Sequence, residues 1–282
     1  MEAHAIDVRP ISGALGAEIA GIDLSSALSN AAYDAIHRAL LDHLVIFFRD
    51  QDLSPEQHTA FARRFGKLHI HPFVRGMDGY PHIVEVIKEK EENHHWGGSW
   101  HADVTFQAQP AMGAVLYARE VPPYGGDTMF ANMYRAYETL SDGLKATLGR
   151  LRAVHYSGAP RNYSAKYRGM QPKDGEEENA VHPLVRTHPE TGRKSLFIAR
   201  SFTRHFEGMT EDESRPLLDF LFVHATRPEH VCRFRWQKNS IAFWDNRCTM
   251  HKAIADFHGA THGLNQYRRV MHRVTLEGGR PV

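Results

Sequence analysis

The chain has 282 residues, 42% of them apolar and 24% charged, with a formal net charge of +1. That balance excludes the basic excess that phosphate-backbone binding requires, so no nucleic-acid partner is expected. No apolar run is long enough to cross a bilayer and the opening MEAHAIDVRP has no signal-peptide pattern, so no membrane association is expected. Two cysteines, Cys232 and Cys248, are too few for a disulfide framework and point to a cytoplasmic setting, while twenty histidines keep a metal site in view.

In chain order, the pattern predicts a short strand near AIDVRP, an amphipathic helix around 30–42 and a buried strand LVIFF (44–48). SPEQ then opens a helix, with Ser54 at the N-cap, Pro55 at N1 and Gln57 closing a capping box. A polar stretch over 74–98 reads as a loop, and GGSWHADVTF (97–106) reads as containing a strand. AVLYAR (114–119) is a strand, and MYRAYETLSDGLKATLGRL is two helices meeting near Ser141–Gly143. A second polar stretch, 158–180, carries Arg161 and Arg168, read as solvated loop charges or as cations over a pocket. Strands HPLVRTH (182–188) and SLFIAR (195–200) follow, then a helix opened by the capping box TEDE, then strands CRFRW, SIAFWD and QYRRVMHRVTL. Many short strands between turn residues predict a mainly β chain with flanking helices, a sandwich or jelly roll. No linker interrupts it, so residues 1–282 are expected to form a single domain with 74–98 and 158–180 as lid loops.

The chemistry starts at His101 and Asp103. In a strand, residues i and i+2 share a face, so an imidazole and a carboxylate point into one space, with Val104 and Phe106 opposite. Alone, the pair also fits a satisfied polar pocket. WDNRCTMH delivers a further histidine, His251, 150 residues on (251 − 101). Two histidines and one carboxylate form the facial triad of non-haem iron(II), which leaves three octahedral positions open, whereas zinc prefers four ligands. In QYRRVMHR, Arg269, Met271 and Arg273 share a face; if Met271 points inward, two guanidiniums enter the same cavity and require anions. YGGDTMF adds the Thr128 hydroxyl as a further donor.

These segments, with GALGAEIAGIDL, VPPYGGDT and HPLVRTHPETGRKSLF, occur in an order that resembles the taurine dioxygenase/TfdA-type iron(II)- and 2-oxoglutarate-dependent dioxygenases over nearly the whole chain. The resemblance implies a double-stranded β-helix (jelly-roll, cupin-like) core, with His101, Asp103 and His251 on iron(II). It implies Thr128 and Arg269 on the distal carboxylate of 2-oxoglutarate. O₂ is the co-reactant, and decarboxylation to succinate and CO₂ accompanies hydroxylation of a substrate C–H. Arg273 and His71 match the residues that grip the sulfonate in taurine-type members, so a small anionic substrate is expected: a sulfonate, an alkyl sulfate or an aryloxy or other carboxylate. The positions that flank the taurine amine fall on Val74 and Gly97, which disfavours taurine itself. The 18 residues from His251 to Arg269 (269 − 251) exceed the family's usual dozen or so, which leaves Arg268 as a competitor; strand alternation favours Arg269. Family members are commonly dimers or tetramers, so a homo-oligomer is expected. Two rivals are a zinc-dependent hydrolase using the same triad and a non-catalytic 2-oxoglutarate-binding jelly roll.

Overall fold

The structure is a computed structural model that describes residues 6–90, 96–158, 176–256 and 267–282. Among the described residues, fifteen strands and five α-helices are laid down in layers. The strands are β1 (Asp7–Pro10), β2 (Ala17–Ala20), β3 (Val45–Phe48), β4 (Ile83–Lys88), β5 (Gly113–Glu120), β6 (Thr128–Asn132), β7 (Arg152–Tyr156), β8 (Asn179–Pro183), β9 (Val185–Thr187), β10 (Lys194–Leu196), β11 (Thr203–Phe206), β12 (Val231–Phe234), β13 (Ile241–Asp245), β14 (Thr249–Ala253) and β15 (Arg269–Leu276). The helices are α1 (Asn30–His43), α2 (Pro55–Arg63), α3 (Met133–Glu138), α4 (Asp142–Leu148) and α5 (Glu211–Ala225).

A seven-stranded sheet runs in the order β1-β2-β3-β13-β5-β15-β4, and a three-stranded sheet in the order β12-β6-β14. Alternation assigns the faces. Ile46, Phe48, Val115, Tyr117, Ile241, Phe243, Val274 and Leu276 pack against Ile36, Leu40 and Phe61 of α1 and α2. Their strand neighbours Val45, Phe47, Leu116, Trp244 and Met271 meet Phe130 and Phe234 of the smaller sheet. The far side of that sheet, through Ala131 and Met250, packs on α3 and α5. Two facing sheets with helices outside them make the jelly roll that the pattern of short strands predicts.

The local signals hold where they are covalently near. Ser54 and Thr210 both form complete capping boxes, and Ser141 caps α4, which is why the predicted helical stretch divides there. Three expectations need correction. WHADVTF is not a strand: His101 makes an isolated bridge and the chain then turns, with Val104 at φ 46°. The 74–98 stretch is not all loop, because β4 lies inside it and pairs with β15. Of SLFIAR only Ser195 and Leu196 lie in a paired strand, β10. Arg161, Arg168 and residues 257–266 of the long stretch between His251 and Arg269 lie outside the described residues.

Candidate active site

β14 and the segment before the Val104 turn place the first three residues. His101 N–H donates to the His251 carbonyl at 3.0 Å, and His251 N–H donates to the His101 carbonyl at 2.7 Å. Such a reciprocal pair sets two side chains abreast on one face. The imidazole centroids are accordingly 4.1 Å apart. Met250 points into the α3/α5 core, so its neighbour His251 points inward toward the large sheet. Asp103 is held at the same point by its backbone N–H, which donates to Asn246 Oδ1 at 3.1 Å, and by Arg273 and Asn246 donating to its carboxylate; the chain then turns at Val104. A positive φ at a β-branched residue costs about 1–3 kcal/mol, offset here by burying Val104 and Phe106 against Phe73 and Ala111. The sequence expectation that His101 and Asp103 share a space therefore holds, although the segment that carries them is not a paired strand.

The ligand atoms of His101, Asp103 and His251 all lie within 4.8 Å of one another, and all three residues are buried. His101 Nδ1–H donates to the Ser99 carbonyl at 2.8 Å, which leaves Nε2 with its lone pair. Burial drives the pKa of both His101 and His251 below the usual imidazole range, so both are neutral. Asp103 is the reverse case. Burial alone would raise its pKa, but the Arg273 guanidinium, helped by the hydrogen bond from Asn246, holds it well below the usual carboxylate range. Two neutral imidazoles and one carboxylate suit a divalent first-row metal with positions left open. Gly97 supports that fit. It sits at φ 76°, and a Cβ there would lie 3.2 Å from His101 Cε1 and 3.8 Å from Nε2.

A pocket is lined by His101, His251, Thr128, Arg269 and Arg273, with Trp96, Val86, Leu116 and Trp244 as apolar wall. β15 brings in both arginines: Met271 joins the core between the sheets, so Arg269 and Arg273 at ±2 face inward with it. Arg268 faces outward and pairs with Glu89 and Glu120, which resolves the Arg268/Arg269 choice in favour of Arg269 as the buried cation. Among the described residues no carboxylate pairs with Arg269, its Nε is buried without a hydrogen bond, and burial lowers its pKa to about 10 against the opposing charge of Asp127. Asp127 is itself taken by Arg233 at 2.6 Å. Thr128 Oγ accepts the Trp236 indole N–H at 2.9 Å, which leaves the hydroxyl hydrogen to donate elsewhere.

Arg273 donates through one terminal nitrogen to Asp103 Oδ1 at 2.7 Å and lies 4.6 Å over the Trp96 ring, while its Nε makes no hydrogen bond. His71 is buried but is not among the residues lining the pocket; it accepts the Phe73 N–H at Nδ1 and packs edge-on against Trp96. Sequence reasoning missed Trp96, Trp236 and Asn246, whose roles depend on partners far along the chain. A second cluster, His188, Asp245 and Cys248, has metal-ligating atoms but no free carboxylate: Asp245 is bound by Arg247 at 2.6 Å and by His188 at 3.0 Å. It pins the turn between β13 and β14.

The model of the family described as "Taurine catabolism dioxygenase TauD, TfdA family" matches residues 7–275. The chain belongs to the TauD/TfdA family. Among its TauD/TfdA relatives, an alkylsulfatase of Acinetobacter baylyi is 38% identical, over 97% of this chain and 85% of that protein. An alpha-ketoglutarate-dependent sulfate ester dioxygenase of Pseudomonas putida is 34% identical, over 98% and 91%. A crystal structure of a taurine dioxygenase from Burkholderia xenovorans superposes with a TM-score of 0.84 at 38% identity, covering 99% of this chain and 91% of that one. This TauD/TfdA chain is thus an oxidoreductase that uses iron(II), 2-oxoglutarate and O₂ to oxidise a small molecule. Neither the zinc-hydrolase nor the non-catalytic alternative finds support. No helix among the described residues is long and apolar enough to cross a membrane.

Proposed function

We propose that His101, Asp103 and His251 hold the iron(II), that Arg269 and Thr128 hold the distal carboxylate of 2-oxoglutarate, and that the substrate is a primary alkyl sulfate. The observation that carries the reading is Arg269, a buried guanidinium that has no paired carboxylate among the described residues and lines the same pocket as the two histidines. A planar fork beside a hydroxyl donor matches a carboxylate. When bound, the iron and co-substrate supply oxidative decarboxylation coupled to replacement of a C–H by C–OH.

The chain's own groups do the positioning. Arg273 keeps Asp103 in place with one nitrogen and offers its Nε edge to the anionic head, with the Trp96 ring 4.6 Å from the guanidinium carbon and His71 bracing Trp96. Val86, Leu116 and Trp244 keep the alkyl carbon in a dry setting. Among the described residues that line the pocket none is a carboxylate that could receive an ammonium, which supports a substrate other than taurine. Hydroxylation at the carbon bearing the ester oxygen gives a hemiacetal-type product that breaks its C–O bond to sulfate. One sulfate ester, one O₂ and one 2-oxoglutarate then yield one aldehyde, one hydrogen sulfate, one succinate and one CO₂. Exposed Phe220 and Val223 on α5 support a homo-oligomer, and the two buried free cysteines support a cytoplasmic setting.

The test measures succinate and inorganic sulfate with alkyl sulfates, taurine, unsubstituted alkanesulfonates and phenoxyacetates at equal concentration. Stoichiometric sulfate from alkyl sulfates, with little succinate from taurine, is expected. Succinate formation triggered only by phenoxyacetates would overturn the substrate assignment, and turnover that is independent of O₂ would overturn the site assignment.

A further inference from the structure

Asp103 has two carboxylate oxygens, and the structure treats them differently. Oδ1 faces His251 Nε2 at 4.0 Å and accepts from Arg273. Oδ2 accepts Asn246 Nδ2–H at 3.1 Å. The orientation of the Asn246 amide is forced. Its Oδ1 receives two groups that can only donate, the Trp244 indole N–H at 3.0 Å and the Asp103 backbone N–H at 3.1 Å. The opposite end must therefore be the NH₂ that meets Asp103 Oδ2. Asn246 is buried, and its own backbone N–H is anchored on the Met112 carbonyl at 2.8 Å, so the amide is fixed at both main chain and side chain.

We infer that Asn246 is a positioning residue that makes Asp103 a one-oxygen ligand, by holding Oδ2 away from the metal while leaving a lone pair on Oδ1 for it. The inference rests on the proposed metal assignment. Its consequence lies in the number of open positions. A facial triad is useful because three positions stay free; a carboxylate that chelates through both oxygens fills one of them and competes with 2-oxoglutarate. An aspartate at 246 would be isosteric but cannot donate from an ionised carboxylate and would repel Oδ2, so the amide is required for its chemistry and not only for its shape.

The experiment loads the wild type, Asn246→Ala, Asn246→Asp and His251→Ala with Co(II), and records ligand-field absorption and 2-oxoglutarate affinity beside the melting temperature of each metal-free protein. Release of Oδ2 lets it take a position that 2-oxoglutarate needs, so both Asn246 variants are expected to show an altered Co(II) ligand-field spectrum and about tenfold weaker 2-oxoglutarate binding. A purely structural role would lower the melting temperature and leave the spectrum of the folded fraction unchanged, which would overturn the inference. A His251→Ala protein that keeps the wild-type spectrum would instead overturn the metal assignment. Should neither Asn246 variant fold, a structure of the Mn(II)-loaded wild type decides: Asp103 on the metal through Oδ1 alone upholds the inference, and both oxygens on the metal refute it.

Discussion

Replacing Arg269 by methionine separates a binding role from a structural one, because the two predict opposite signs for stability. Burial lowers the Arg269 pKa from 12.5 to about 10. At about 1.4 kcal/mol per pKa unit, this corresponds to roughly 3 kcal/mol against the charged form in the unliganded protein. The folded-state value lies below the unfolded one, so the penalty is present at every pH below about 10 and is relieved only as pH rises toward 12.5. The Trp236 ring, 6.0 Å from the guanidinium carbon, returns about 1 kcal/mol. Methionine keeps most of the apolar stem and carries no charge, so the ligand-free variant is expected to gain up to about 2 kcal/mol, a rise of several degrees in melting temperature. Binding moves the other way. Truncating one partner of a buried charge pair costs about 2–5 kcal/mol, so 2-oxoglutarate affinity is expected to fall between roughly thirtyfold and several thousandfold. Scanning calorimetry of the metal-free protein and titration of 2-oxoglutarate into the metal-loaded protein read the two quantities separately. A variant that melts lower than wild type and binds 2-oxoglutarate unchanged would show that the guanidinium is part of the scaffold, and the co-substrate assignment would fall with it.

Thr128→Val is expected to weaken 2-oxoglutarate binding about tenfold and, by orphaning the Trp236 N–H, to cost about 1–3 kcal/mol of stability; Thr128→Ser should restore the affinity, and failure to do so refutes the hydroxyl's role. Gly97→Ala places a Cβ 3.2 Å from His101 Cε1 at φ 76°, so it is expected to cost about 1–2 kcal/mol and to reduce metal affinity about tenfold, as read by competition with a chelator. Unchanged metal affinity would mean that the clearance over His101 is incidental. Burial holds His58 and His155 near pKa 3, below the unfolded 6.5, so protons bind the unfolded chain first. Stability is therefore complete above pH 6.5 and falls as pH drops toward 3, by up to about 4 kcal/mol between pH 6.5 and 5 for the two together. Urea titrations at both pH values should show this loss in the wild type and a flatter response in a His58→Gln, His155→Gln double variant.

What could be read from residues alone was what short spans of chain determine. Ser54 and Thr210 mark helix starts because each cap bonds within three residues. Alternation around Met271 puts Arg269 and Arg273 on one face and turns Arg268 outward because the period of a strand is local. β4, β6 and β14 were not legible, since strands of five or six residues are defined by partners such as Thr128↔Ala253 and Val86↔Met271, far away in sequence. The same distance hid Asn246 and Trp236. Asn246 stands in the quoted WDNRCTMH, yet nothing near it in the chain announces a hydrogen bond to residue 103. The Val104 turn was hidden for a different reason. A β-branched residue gives no local hint of positive φ, because that conformation is stabilised by the Phe73–Phe106 cluster and not by its own preference.

The charges in the proposed site also close on the proposed substrate. With both imidazoles held neutral by burial, Asp103 against Arg269 and Arg273 leaves the empty pocket with one excess positive charge. Iron(II) raises the excess to three, the 2-oxoglutarate dianion lowers it to one, and a monoanionic sulfate ester brings it to zero. In a cavity screened from water each of these steps is worth far more than it would be in bulk solvent, so every component prepares a field that the next one neutralises. A zwitterion with an ammonium and a sulfonate contributes no net charge and would leave one excess positive charge, the ammonium itself, without a counter-ion. In the proposed site, the same electrostatics that make the buried arginines costly before loading would favour a substrate with one negative charge and an apolar body over a zwitterion such as taurine.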